Sequence, residues 1–92
     1  MIKTFKCKDT QTLFEGRRVA RFANVERAAL RKLEQLDLAA LIEDMRAPPG
    51  NRLEPLKADR AGQWSVRIND QWRLCFRFED GDAWDVEIVD YH

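Results

Sequence analysis

A few side chains in this 92-residue chain have the chemistry to handle a phosphate. The single histidine, His92, stands last, directly after Asp90 and Tyr91. Histidine is the side chain whose charge changes near neutral pH. A tyrosine beside it can donate a hydrogen bond or stack on a flat partner. Upstream, Arg67, Arg73 and Arg77 recur in a stretch of alternating apolar residues. Arginine presents a planar fork of N–H donors that matches phosphate oxygens. Plainer readings compete for each. A terminal histidine can be a loose tail, a tyrosine after a strand can be a sheet-edge aromatic, and outward arginines can be a solvated face paired with Asp85 and Glu87.

Whether these groups meet depends on the elements that carry them. Ile2 to Lys6 alternates and predicts a first strand. Asp9 or Thr10 can cap a short helix through Leu13-Phe14-Glu15, with Gly16 as its stop. Arg17 to Phe22 is a basic connector. Asn24 is the next cap candidate, and Val25, Ala29, Leu33 and Leu36 follow helical spacing. Asp37 then caps a further stretch in which Leu38, Leu41, Ile42 and Met45 form a second stripe, predicting an antiparallel helix pair. Pro48-Pro49-Gly50-Asn51 breaks the pattern. After it the period is two: Trp64 to Ile68, a turn at Asn69-Asp70-Gln71, Trp72 to Phe78, a hairpin signal at Asp80-Gly81, and Trp84 to Val89. These make an antiparallel meander.

The pleat assigns faces. Trp64, Val66, Ile68, Trp72, Leu74, Phe76, Phe78, Val86 and Ile88 share the side that must pack on helices. Ser65, Arg67, Arg73, Cys75, Arg77, Asp85, Glu87, Val89 and Tyr91 share the other. Tyr91 therefore points to the arginine face. Asp90 has core-side parity, which suits a buried acceptor that positions the chain end.

Bulk properties bound the answer. The length predicts one domain over residues 1–92. Apolar residues make up 45% and charged residues 35%, a globular rather than disordered balance. No apolar run approaches the roughly 20 residues of a membrane span, and Met1 to Asp9 has no signal-peptide core. Cys7 and Cys75 fit no metal spacing and make a poor disulfide framework, so a reduced, cytoplasmic protein without metal or cofactor is expected. The net charge of zero hides an asymmetry. Residues 1–36 carry 9 basic and 4 acidic groups, residues 37–78 carry 7 and 6, and residues 79–92 carry 0 and 6. Any nucleic-acid contact must come from locally concentrated cations.

The run Leu53-Glu54-Pro55-Leu56-Lys57-Ala58-Asp59-Arg60-Ala61-Gly62-Gln63-Trp64-Ser65-Val66-Arg67-Ile68-Asn69-Asp70-Gln71-Trp72-Arg73-Leu74, followed by Asp90-Tyr91-His92, resembles HigB-type toxins of the RelE/ParE superfamily. The likeness covers nearly the whole chain, including MIKTF and Leu13-Phe14-Glu15. It implies an α+β, RelE-like fold: two or three N-terminal helices packed on a curved antiparallel β-sheet with a C-terminal meander. It implies the toxin of a type II toxin–antitoxin system, a ribosome-dependent endoribonuclease that cuts translated mRNA in the A site. It also implies partners: a HigA-like helix-turn-helix antitoxin, the ribosome with its 16S rRNA, and mRNA, with no membrane.

Carried over residue by residue, the resemblance places functional positions at Lys57, Arg73, Asp90, Tyr91 and His92. Glu54 departs from it, since several relatives have histidine there. Metal-free RNA cleavage needs a base for the 2′-hydroxyl, cations for the phosphate and an acid for the leaving 5′-oxygen. The expected products are a 2′,3′-cyclic phosphate and a 5′-hydroxyl. Glutamate, with a reference pKa of about 4.3, suits a base better than an acid. An α-carboxylate beside His92 favours its protonated form, suited to an acid or an anchor. Asp90 is expected to position rather than react. Arg27, Arg31 and Lys32 on the helix, with Arg67 and Arg77 on the sheet, are candidate RNA contacts. Two rivals stand beside this reading: a ParE-like poison of DNA gyrase, and a binding module without catalysis, towards which Glu54 leans.

Overall fold

The period-two stretches after Pro49 fold as one antiparallel sheet in the computed structural model, which describes residues 1–91. His92 lies outside the described residues. The strands are β1 (Glu54–Pro55), β2 (Trp64–Arg67), β3 (Trp72–Glu79) and β4 (Asp82–Asp90), in the order β1-β2-β3-β4. The β3–β4 turn is the predicted one. Asp80 and Gly81 both take positive φ, 53° and 80°, as a two-residue hairpin loop with right-handed twist requires.

Two α-helices cover one face. α1 (Lys8–Phe14) is capped at Cys7 rather than at Asp9 or Thr10. Thr10 instead lies buried within it, and its hydroxyl accepts the Ile88 N–H at 3.0 Å, tying helix to sheet. α2 (Glu26–Leu38) starts after Val25, with no side-chain cap from Asn24. Its Ala29, Leu33 and Leu36 are fully buried against Leu13, Phe22, Val66, Leu74, Phe76 and Val86. Each such leucine, phenylalanine or valine side chain stabilises the fold by roughly 1.5–3 kcal/mol through burial.

Three expectations are corrected. Residues 2–6 form no strand; Ile2 and Phe5 make isolated parallel bridges to Ala83 and Val86. β4 is bulged there: the register shifts between Cys75 and Arg77, and Asp85 takes φ 54°, so a continuous third partner cannot pair along it. The bulge also places Trp84 opposite Arg77, on the arginine side, and gives the core position to Ala83. The antiparallel pair expected around Asp37 is absent. α2 runs on through Asp37, whose Oδ1 accepts the Ile2 N–H, and a 3-10 turn (Ile42–Met45) follows, capped by Asp44 on the Ala40 and Leu41 N–H groups. Leu38 and Leu41 are exposed, so the second stripe is split between surface and core.

Candidate active site

The segment joining α2 to β2 brings the candidate groups together. Asn51 is fully buried. Its Nδ2 donates to the carbonyls of Met45 and Ala47, and its Oδ1 accepts from Lys32 Nζ. Beyond that anchor, Arg52 takes the left-handed conformation (φ 47°, ψ 54°), which side-chain-bearing residues seldom adopt. The chain then enters β1, where Glu54 pairs with Ser65 of β2. Ser65 pairs in turn with Cys75 of β3, and Cys75 with Glu87 of β4. One row, Glu54–Ser65–Cys75–Glu87, thus crosses the outer sheet face, beside the row Arg67–Arg73–Val89.

Arg73 is the centre of the site. Its side chain is only 12% exposed, not the solvated arginine of the plainer reading. Nε donates to Ser65 Oγ at 3.0 Å, and Nη2 donates to the Arg52 carbonyl at 3.0 Å. The Glu54 carboxylate stands 3.3 Å from Nη2. The Tyr91 ring lies 5.3 Å from the guanidinium carbon, within cation–π range. Tyr91 is held there by its backbone: its N–H donates to the Gln71 carbonyl at 2.6 Å. Gln71 also donates from Nε2 to Asp90 Oδ2 at 3.1 Å, so one turn residue grips both positions that precede His92. Asp90 pairs with Trp72 as its parity required, yet its side chain is exposed because the core ends at Trp72. The expected burial of Asp90 is therefore wrong.

Other candidates lie elsewhere. Lys57 is exposed just past β1, heading a 3-10 turn (Ala58–Arg60), with no side-chain partner among the described residues. Arg67 is ion-paired with Asp70, and Arg77 with Asp85 and Glu79. The pairing of Arg77 with Asp85 was legible; Glu87 instead meets Arg60 at 3.3 Å and Lys6 at 3.6 Å. Arg27 and Arg31 are exposed on α2, in the layer across the sheet from Arg73, and a hollow of about 330 Å³ opens beside Glu26, Arg27 and Leu30. Lys32 is half-buried on Asn51; burial first, then the neighbouring Arg31 charge, lowers its pKa. The arginine face is thus not open across its middle. Ser65 and Cys75 are fully buried, and burial pushes the Cys75 thiol up to about 11. Among the described residues no group of acidic, histidine and cysteine side chains could hold a metal ion.

Sequence reading missed Ser65, the Arg52 carbonyl and Gln71. Ser65 carried a usable signal, because it shares Arg73's face and is its diagonal neighbour across the β2–β3 pair. The Arg52 carbonyl carried none, since a left-handed arginine has no sequence mark.

Comparisons with known proteins bear on the family and the fold of the chain. A family model described as RelE-like toxin of type II toxin-antitoxin system HigB matches residues 3–92. Toxin HigB-1 of Vibrio cholerae is 41% identical over 85 residues, covering 90% of each chain. Endoribonuclease HigB of Proteus vulgaris is 37% identical over 94 aligned residues, covering both chains in full. Among solved structures, YafQ from E. coli superposes with a TM-score of 0.59 at 14% identity, covering 99% of this chain and 92% of that one. A heterotetrameric YoeB–YefM toxin–antitoxin complex from Staphylococcus aureus contributes a chain with a TM-score of 0.58 at 17% identity, covering 100% and 98%. At such identities the structural likeness carries the fold, which is the expected α+β, RelE-like one.

Proposed function

This chain belongs to the HigB-like family, RelE-like toxins of type II toxin–antitoxin systems, and on that premise we propose that it is a ribosome-dependent endoribonuclease acting on translated mRNA in the A site. The observation that carries the reading is the environment of Arg73: a phosphate-binding side chain, nearly buried, held between Ser65, the Arg52 carbonyl, Glu54 and the Tyr91 ring. A surface arginine placed only for solubility has no need of four neighbours.

The chemistry divides among the chain's own groups. Arg73 Nη1 donates to none of the described residues and meets a non-bridging phosphate oxygen. Lys57, unpartnered among the described residues, supplies a second positive charge to the developing phosphorane. The Glu54 carboxylate takes the proton from the 2′-hydroxyl. The 2′-oxygen then bonds to phosphorus, the bond to the 5′-oxygen breaks, and His92 gives that oxygen its proton. Tyr91 stacks on a base, and Gln71, which holds both the Asp90 side chain and the Tyr91 N–H, sets the position of that ring.

Arg27 and Arg31 are exposed cations for ribosomal RNA, whereas Arg67 and Arg77, expected as RNA contacts, are taken up by Asp70 and by Asp85 and Glu79. The partners of this reading are a HigA-like antitoxin, the ribosome with its 16S rRNA, and mRNA. The domain spans residues 1–92, and the compartment is the cytoplasm; among the described residues no helix is long and apolar enough to cross a membrane.

The test is a cleavage assay on translating 70S complexes with a defined mRNA, mapped by primer extension. Cuts in the A site that need ribosomes, and that His92→Gln abolishes, support the reading. No cuts on any RNA, together with trapped gyrase–DNA cleavage complexes in a supercoiling assay, would move the function to the gyrase-poison class. No cuts and no gyrase effect leave the binding module.

A further inference from the structure

Arg73 enters the site from β3 on a side chain with four rotatable bonds, and nothing covalent fixes the direction of its fork. Two acceptors do so. Ser65 Oγ, on a fully buried residue, takes the Nε–H at 3.0 Å. The Arg52 carbonyl takes an Nη2 hydrogen at 3.0 Å, from a residue whose left-handed backbone turns that carbonyl towards β3. With the Glu54 carboxylate 3.3 Å from Nη2, they occupy Nε and Nη2 and leave Nη1 without a partner among the described residues.

From this we infer that Ser65 is a positioning residue for cleavage: its hydroxyl orients Arg73 so that Nη1 meets the scissile phosphate. Ser65 itself does not touch substrate. The inference rests on the endoribonuclease reading and deepens it, because it says why β2 carries a serine at a buried position where alanine would pack as well. A polar group buried at such a position needs a hydrogen-bond partner, and here the partner is Arg73. The hydroxyl is also matched to its task, since it accepts from a guanidinium without bringing the negative charge that would compete with phosphate for it.

The experiment is a double-mutant cycle in the ribosome-dependent cleavage assay under single-turnover conditions. Ser65→Ala is expected to lower the cleavage rate by about 10- to 100-fold, the scale of a misplaced reacting group. In an Arg73→Lys background, where no Nε–H exists, the same change is expected to lower the residual rate by less than about 2-fold. A structural role for Ser65 acts equally in both backgrounds, so additive losses overturn the inference, and so does wild-type cutting by Ser65→Ala. Ser65→Cys keeps the side-chain connectivity and weakens the acceptor; a melting temperature like that of the wild type with an intermediate rate supports the inference, and wild-type cutting overturns it. Wild-type protein that fails to cut translated mRNA overturns the endoribonuclease reading first, an outcome visible before any variant is compared.

Discussion

The Glu54 carboxylate and the Arg73 guanidinium face each other 3.3 Å apart at the edge of the sheet. Glu54 is half exposed and Arg73 nearly buried, so the pair joins a solvated carboxylate to an enclosed cation. Its geometry suits a base kept beside the phosphate site. Replacing Glu54 by Gln keeps the shape and removes the acceptor charge. The expected result is a loss of about 10²-fold or more in single-turnover cleavage at neutral pH, the usual scale for a general base. The melting temperature should move by less than about 3 °C, because solvated ion pairs contribute little. Unchanged cleavage would transfer the base role to Lys57 or His92.

Arg73→Ala should abolish cleavage and also weaken the fold. Removal of the side chain strands Ser65 Oγ and exposes a gap beside Tyr91. A cost of about 1–2 kcal/mol is expected, which calorimetry would register as a fall of roughly 4–16 °C for a domain of this size. A variant that loses cleavage with no thermal shift would show that the four contacts contribute nothing to folding.

The two cysteines should behave oppositely towards thiol reagents. For Cys7, burial acts to raise the pKa, but hydrogen bonds from Thr10 and Asp9 and the Arg21 charge outweigh it, and the net shift is downward. Cys75 is fully buried with its pKa pushed up. At neutral pH, mass spectrometry should find Cys7 alkylated first and Cys75 protected. Equal labelling would contradict the burial.

Cys75 also gives the fold a pH dependence. The folded chain holds its thiol proton to about 11, whereas the unfolded chain releases it near the ordinary value of 9.0. The contribution is therefore complete below 9.0 and shrinks as pH rises towards about 11. The loss is about 2 kcal/mol across that window. Urea titrations should show this slope in the wild type and a shallower one in Cys75→Ala.

Asn51 should matter for stability far more than a loop polar residue normally does. Asn51→Ala leaves the Met45 and Ala47 carbonyls and the Lys32 ammonium without their shared partner. The expected cost is about 2–4 kcal/mol. A thermal melt within about 2 °C of the wild type would sink this assignment.

The meander was legible because period-two patterning states which residues share a face, and a face must be buried or not. Trp64, Val66, Leu74 and Phe76 could only turn one way, and Arg73 and Tyr91 the other. The Asp80-Gly81 turn was legible for a related reason: few residues tolerate two successive positive φ angles. The Asp90-Tyr91-His92 ending, together with Trp64-Ser65 and Trp72-Arg73, was enough to point to the family. What the sequence left open depended on contacts between distant positions. Helix bounds near Asp37 were misjudged because that carboxylate caps nothing in its own helix and instead accepts from Ile2, 35 residues away. The bulge at Asp85, which costs the first strand its ladder and turns Trp84 to the arginine side, shows only in the register of β4 against β3. Patterning along the chain determined which side chains could reach one face. Only the tertiary structure decided that Arg73 lies pinned by Ser65, the Arg52 carbonyl, Glu54 and Tyr91, while Arg67 and Arg77 are given to neighbouring carboxylates. A guanidinium's partners are set by three-dimensional distance, on which spacing along the chain is silent.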